Sequence, residues 1–204
     1  MILLPTQQLL LNDRLLTASA KGDVAAARQL LSQGANAFHQ ESQALRAASS
    51  HGRVECVKLL IPACDPKAKE SAALILAAKN GHAGCVKLLL PFSDPQLNNS
   101  LALRWAAENG HAECAAVLIP FSEPLIEIEA LFEAIIEGSH ADVAALVLHH
   151  EPRLLEGVDV LDCIAKATAN GHSGLAALLL SKVEQKALSS AIPPERGGLT
   201  PSRL

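Results

Sequence analysis

Apolar residues run along this chain in pairs of stretches with a glycine between them. An Ala-rich stretch precedes each glycine, and an aliphatic stretch starts about five residues after it, as a repeat pattern requires. The glycines are Gly22, Gly52, Gly81, Gly110, Gly138 and Gly171, at spacings of 30, 29, 29, 28 and 33 residues. Two copies read AALILAAKNGHAGCVKLLLPFSDP and LALRWAAENGHAECAAVLIPFSEP. A fixed period of this length marks a repeat array, in which neighbouring units supply the apolar cover that none has alone.

Each unit predicts helix, tight turn, helix, loop. In the third unit, Ser71 is read as the N-cap of the first helix, with Leu74, Leu76 and Ala77 on its apolar face. Asn80-Gly81 ends that helix, because glycine tolerates a left-handed stop. Val86, Leu88, Leu89 and Leu90 form the second helix and Pro91 closes it. The paired alanines, Ala77-Ala78 and Ala106-Ala107, let the first helices of adjacent units approach closely, so a large residue at Ala106 overpacks the stack. The expected organisation is a segment 1–12 that caps the array, units at 13–42, 43–71, 72–100, 101–129, 130–160 and 161–189, and a flexible tail at 190–204 rich in Pro and Gly.

Composition agrees with an all-α class: Ala and Leu dominate, aromatics are 2%, and there is no Tyr. The start, MILLPTQQLLLND, lacks the basic residue and uninterrupted apolar run of a signal peptide. No stretch has the length and purity of a membrane span. Cys56, Cys85 and Cys114 share one repeat position 29 residues apart. They read as small buried hydrophobes in a protein of a reducing, cytoplasmic compartment.

These units resemble ankyrin repeats over residues 13–189. The resemblance rests on Ala77-Ala78-Lys79-Asn80-Gly81-His82, on Ala106-Ala107-Glu108-Asn109-Gly110-His111, on the Val-Lys-Leu-Leu runs at 57–60 and 86–89, and on LLSQGANA at 30–37. It implies an ankyrin-like helix-turn-helix solenoid of six repeats. Two departures matter. The family's Thr-Pro-Leu-His opening is absent, and the family's His position holds Arg46, Ile75, Arg104 and Phe132. Pro-x-x-Asp/Glu-Pro stands where the Gly-Ala-Asp loop would be, so the projecting hairpin finger is expected to shrink to a short turn. The one extended loop falls near 149–160. The Ala/Leu-rich, short-period units are similar to bacterial ankyrin proteins, some of which act as effectors in a host cytoplasm.

No phosphate loop, nucleophile elbow or paired CxxC is present, so no enzyme and no cofactor are expected. Glu108-x-x-His111 and Glu137-x-x-His140 have a metal-pair spacing, but a glycine inside each string separates Glu from His across a turn, and no metal site is expected. His82, His111 and His172 recur after the turn glycine, a placement that suggests a structural ring at each turn rather than a pH switch. Trp105 shares its slot with Ala47 and Leu76 and reads as core.

Charge is uneven: residues 121–162 hold ten carboxylates and only Arg153, while the whole chain is at −4. Glu127, Glu129, Glu133 and Glu137 read either as a solvated face or as an acidic patch that steers a basic partner surface. Nucleic acid is not expected, because phosphate binding needs a basic stripe. The resemblance implies a concave face lined by the first helices and the turn positions before each Gly. It therefore nominates Lys21, Ser50, His51, Lys79, Asn80, Arg104, Glu108, Asn109, Ile136 and Glu137, with the acidic residues above, as a surface for another protein. A monomeric, non-catalytic protein-interaction module is the leading expectation. The alternatives are an effector or regulator that occludes a target enzyme, and an enzyme with an unrecognised site.

Overall fold

The computed structural model describes residues 4–122, 133, 135–136, 138, 140–150 and 159–191. Among these, eleven α-helices run in two layers. The inner layer holds α1 (Pro5–Lys21), α3 (His39–Ser50), α5 (Ala68–Lys79), α7 (Leu97–Glu108) and α10 (Val160–Ala169). The outer layer holds α2 (Val24–Ser32), α4 (Val54–Leu60), α6 (Ala83–Leu89), α8 (Ala112–Leu118), α9 (Ala141–His150) and α11 (Ser173–Ala191). Each inner helix pairs with the outer helix after it, and α1, α3, α5 and α7 pack in sequence, as do α2, α4, α6, α8, α9 and α11. No strand occurs among the described residues. The chain is an all-α solenoid.

The stack is built from slots that repeat residue for residue. Leu15, Leu45, Leu74 and Leu103 fill one inner slot at 0–1% exposure. Leu30, Leu60, Leu89, Leu118, Val147 and Leu179 fill one outer slot. Removing one such leucine would cost about 2–5 kcal/mol. Cys56, Cys85 and Cys114 share a buried slot with Val143 and Leu175, which confirms thiols acting as small apolar fillers. All five cysteines are free. Burial pushes the Cys64, Cys85 and Cys114 thiols up to about 11.

Between the layers, the outer helices of units two to four stop in short 3-10 turns at Ile61–Ala63, Leu90–Phe92 and Ile119–Phe121. Proline enters these turns rather than ending the helix outright. The expected short turn in place of a finger is an Asx turn. Asn36, Asp65 and Asp94 each accept, on a side-chain oxygen, the N–H two residues on, at 3.0–3.1 Å.

The helix start differs from the sequence reading. Ser71 is not an N-cap. It lies inside a left-handed turn, Lys69 (φ 48°), Glu70 (φ 58°) and Ser71 (φ 58°), that Gln40, Glu41 and Ser42 repeat one unit earlier. The buried Ser71 hydroxyl accepts the Asp94 N–H, in the loop that closes the same helix pair, at 3.0 Å, and Ser42 accepts that of Asp65 at 2.8 Å. Asn12 plays this part in the first unit, with its Oδ1 2.7 Å from the Asn36 N. An unmade bond at a partly buried amide costs about 1–3 kcal/mol, so one buried polar side chain per unit fixes the position of the following loop. At the front, α1 begins at Pro5, so residues 5–12 are its first turns.

Candidate functional site

Each inner helix ends at a turn, and the turns decide what the open face of the inner layer can present. Gly22, Gly52, Gly81 and Gly110 have φ between 66° and 86°, a region that costs other L residues about 1–2 kcal/mol. A second constraint acts on the same residues. A Cβ at Gly52 would lie 2.6 Å from His82 Nδ1, one at Gly81 2.7 Å from His111 Nδ1, and one at Gly22 2.9 Å from Arg53 Cδ. The side chain that follows one turn glycine therefore lies over the turn glycine of the previous unit.

These rings are also hydrogen-bonded. His82 Nε2 donates to the Ser50 carbonyl at 3.1 Å, His111 Nε2 to Lys79 at 2.9 Å and His140 Nε2 to Glu108 at 3.1 Å. Arg53 Nε donates to the Ala20 carbonyl at 3.0 Å in the first junction. The carbonyls so used would otherwise be orphans of a helix end. The periodic histidines are thus structural staples between units, as their periodicity suggests. His140, which sequence reasoning met only as half of a metal-like string, belongs to the set, whereas His172 makes no such bond among the described residues.

His140 also corrects the register. Its N–H bonds to Ile135 O, as that of His111 bonds to Ala106 O and that of His82 to Ala77 O. The repeat step there is 29 residues, not the 28 read from Gly138. Ile136 consequently takes the slot of Ala107 and Ala78, and is 2% exposed. It is a core residue and is removed from the candidate surface. The slot of Arg46, Ile75 and Arg104 continues at Glu133 rather than at Phe132.

The remaining candidates separate into two groups. Ser50 and Asn80 engage each other: Asn80 Nδ2 donates to Ser50 O at 2.9 Å and to Ser50 Oγ at 3.0 Å. Asn109 Nδ2 turns back to Trp105 O at 2.8 Å, and His51 Nδ1 lies 2.8 Å from Ala47 O. These four side chains hold turns together. Lys21 and Glu108 are exposed at the ends of α1 and α7. Lys79 and Arg104 are half-buried on α5 and α7.

Trp105 is not core. It is half-buried in the row of Ala47 and Leu76, with Lys79 Nζ 3.9 Å above its ring. A cation in that position is attracted by the ring's negative face. The apolar character of Ala47 and Leu76 hid this, because the slot is half-open in all three units.

Of the acidic residues, Glu133 is exposed and 3.6 Å from Lys166, which also meets Asp162 at 2.9 Å. The Asp162 carboxylate, followed by Glu133, raises the Lys166 ammonium above its ordinary value. Glu133 is therefore partly balanced by unit six. Glu127, Glu129 and Glu137 lie outside the described residues.

A two-layer stack with a fixed core, stapled turns and no convergent catalytic group among the described residues is a repeat scaffold. Its sequence agrees: residues 64–130 match the description of the ankyrin repeats as three copies. Residues 64–130 carry ankyrin repeats. Among solved structures, the human ASB11 ankyrin repeat domain is similar at 22% identity and a TM-score of 0.68, over 89% of this chain and 85% of that one. That likeness speaks for the fold. No curated protein matches the chain. Ankyrin repeats in general are protein-interaction modules and typically non-catalytic.

Proposed function

We propose that this ankyrin-repeat chain is a monomeric, non-catalytic module that grips another protein along the concave face of its inner helices. One observation carries the reading. On each inner helix the slots of Leu45, Leu74 and Leu103 and of Ala48, Ala77 and Ala106 are constant, while the half-open slots beside them vary. Those slots hold Arg46, Ile75 and Arg104, then Ala47, Leu76 and Trp105, and at the helix end Ser50, Lys79 and the exposed Glu108. A scaffold held fixed while its open face changes residue by residue is suited to one partner rather than to many. Aromatic and Arg side chains at such positions are the usual anchors of an interface.

The acidic stretch 121–162 would meet a basic part of the partner and steer its approach. Five free, buried cysteines fit a cytoplasmic setting. Neither nucleic acid nor a membrane is the intended partner. No described helix is long and apolar enough to cross a bilayer.

The test is capture of a stoichiometric partner, followed by charge reversal at Lys79, Glu108 and Glu137 with circular dichroism as the control. Loss of the partner at unchanged helicity is the expected result. Full retention by all three variants would remove the concave face from the reading.

A further inference from the structure

The geometry points to an acidic segment with an aliphatic anchor as the occupant of the concave face between α3 and α7; this rests on the concave-face reading above. In this half the open slots carry three cations, Arg46, Lys79 and Arg104, around the half-buried apolar side chains Ile75, Leu76 and Trp105. Glu108, at the far end, is where the sign of the face changes, and Glu133 follows it one unit on.

Two of the cations are held in place rather than left to sweep through solvent. Arg46 has a side chain only 15% exposed, with Nη1 donating to the Glu41 carbonyl at 3.1 Å and 3.8 Å from its carboxylate. Lys79 is fixed over the Trp105 ring, and no carboxylate pairs with it among the described residues. An ammonium on an aromatic face still has N–H bonds to give, and a carboxylate from a partner accepts them in a partly desolvated place, where charge-assisted bonds are strongest. The Ile75–Leu76 surface gives nothing to a phosphate but packs well on Leu or Ile. A polypeptide with alternating acid and aliphatic side chains therefore suits the face better than a nucleic acid. Taken with the acidic stretch, the partner's own charge would change sign along its length.

The chain has one Trp and no Tyr, so its ultraviolet emission reports from this place alone. Three probes are titrated against the full chain at low salt: a peptide about 12 residues long of Glu and Leu, its Lys-and-Leu twin, and a single-stranded oligonucleotide of similar length. The expected result is a Trp105 emission change with the acidic peptide, at an affinity at least about tenfold above that of the Lys twin, with the preference lost in about 1 M salt. Lys79→Met, which keeps the aliphatic stem, should weaken the acidic peptide about tenfold, and Lys79→Glu should reverse the preference. Melting curves check that both variants are folded.

Equal binding of the two peptides, saturation of the emission change by the oligonucleotide, or indifference of the acidic peptide to both Lys79 variants would overturn the inference. A response to the Lys twin alone would overturn the charge assignment while leaving concave-face binding in place. Failure of the concave-face reading itself is seen separately, as a captured partner that ignores Lys79, Glu108 and Glu137.

Discussion

Units two to four and unit six use the same two devices, a glycine turn and a polar helix start, but build them to different depths. At Gly52, Gly81 and Gly110 a histidine from the following unit covers the turn, whereas nothing lies within 4 Å of a Cβ at Gly171. The middle inner helices begin in a left-handed turn whose buried serine holds the next loop. The inner helix of unit six begins with an ordinary cap, Asp159, whose Oδ1 accepts the N–H groups of Leu161 at 3.1 Å and Asp162 at 3.2 Å. A middle unit has a following neighbour whose histidine covers its turn, and its buried serine ties its helix start to its own closing loop. In the last described unit no ring covers the turn, and the helix start is capped by its own Asp159. The same residue type therefore has different weight according to what stacks on it.

The largest expected effect comes from the turn glycines. Gly81→Ala meets both a left-handed φ of 76° and the His111 ring. It should cost about 3 kcal/mol, the sum of backbone strain and a displaced inter-unit hydrogen bond. Gly171→Ala, at φ 79° with open space around it, should cost about 1 kcal/mol. Thermal melts of the two variants give the contrast directly. Equal losses would mean that the ring over Gly81 contributes nothing.

The staple itself comes next. His111→Ala removes the 2.9 Å bond to Lys79 O and should cost about 2 kcal/mol. A double-mutant cycle sharpens the point. Once His111 is gone, Gly81→Ala has less to displace, so the pair should cost at least about 0.5 kcal/mol less than the sum of the singles. Strict additivity would separate the ring from the turn.

On the loop side, Ser71→Ala leaves the Asp94 N–H without its 3.0 Å acceptor and should cost about 1.5 kcal/mol. Asp159→Ala removes a local cap and should cost about 1 kcal/mol. The two differ more in where the damage appears than in size. Hydrogen exchange in Ser71→Ala should speed up at residues 94–96, in the loop beyond α6, whereas in Asp159→Ala it should stay at the start of α10. Exchange confined to residues 69–71 in the serine variant would contradict the hold of the serine on the loop.

Much of this organisation was written plainly in the chain. The paired alanines, the Asn-Gly-His turns and the Cys slot locate the helices and their core faces, because each feature recurs at the spacing that stacking demands. What could not be read had physical reasons. Gly138 sits one residue before the place where the period puts a turn glycine, so counting glycines slipped the register and exposed Ile136 on paper. His140, which keeps the 29-residue step, is the better marker, because it is the side chain that touches the neighbouring unit. Trp105 looked like core because its slot partners are apolar, yet that slot is only half-covered. Lys69, Glu70 and Ser71 have none of the residue preferences of a left-handed turn, and nothing local could announce it. Long-range contacts, the serine ladder above all, hold that conformation in place.

That left-handed turn gives the smallest effect and the sharpest sign. Lys69 adopts φ 48° and ψ 53°, where a residue with a Cβ is strained by about 1–2 kcal/mol. Glycine there would relieve the strain, lose about 0.5–1 kcal/mol to the freer unfolded chain, and give up an exposed ion pair with Glu41 at 3.3 Å that contributes little in water. The balance favours Lys69→Gly by about 0.5 kcal/mol. Lys166 is also an exposed lysine with acidic neighbours, but it sits in the ordinary helix α10. There the same change should cost about 1 kcal/mol. Opposite signs in a pair of melting curves would establish that the middle units begin left-handed and unit six does not. A loss at both sites would mean that residues 69–71 follow a right-handed path in solution, and the difference between the two helix starts would disappear.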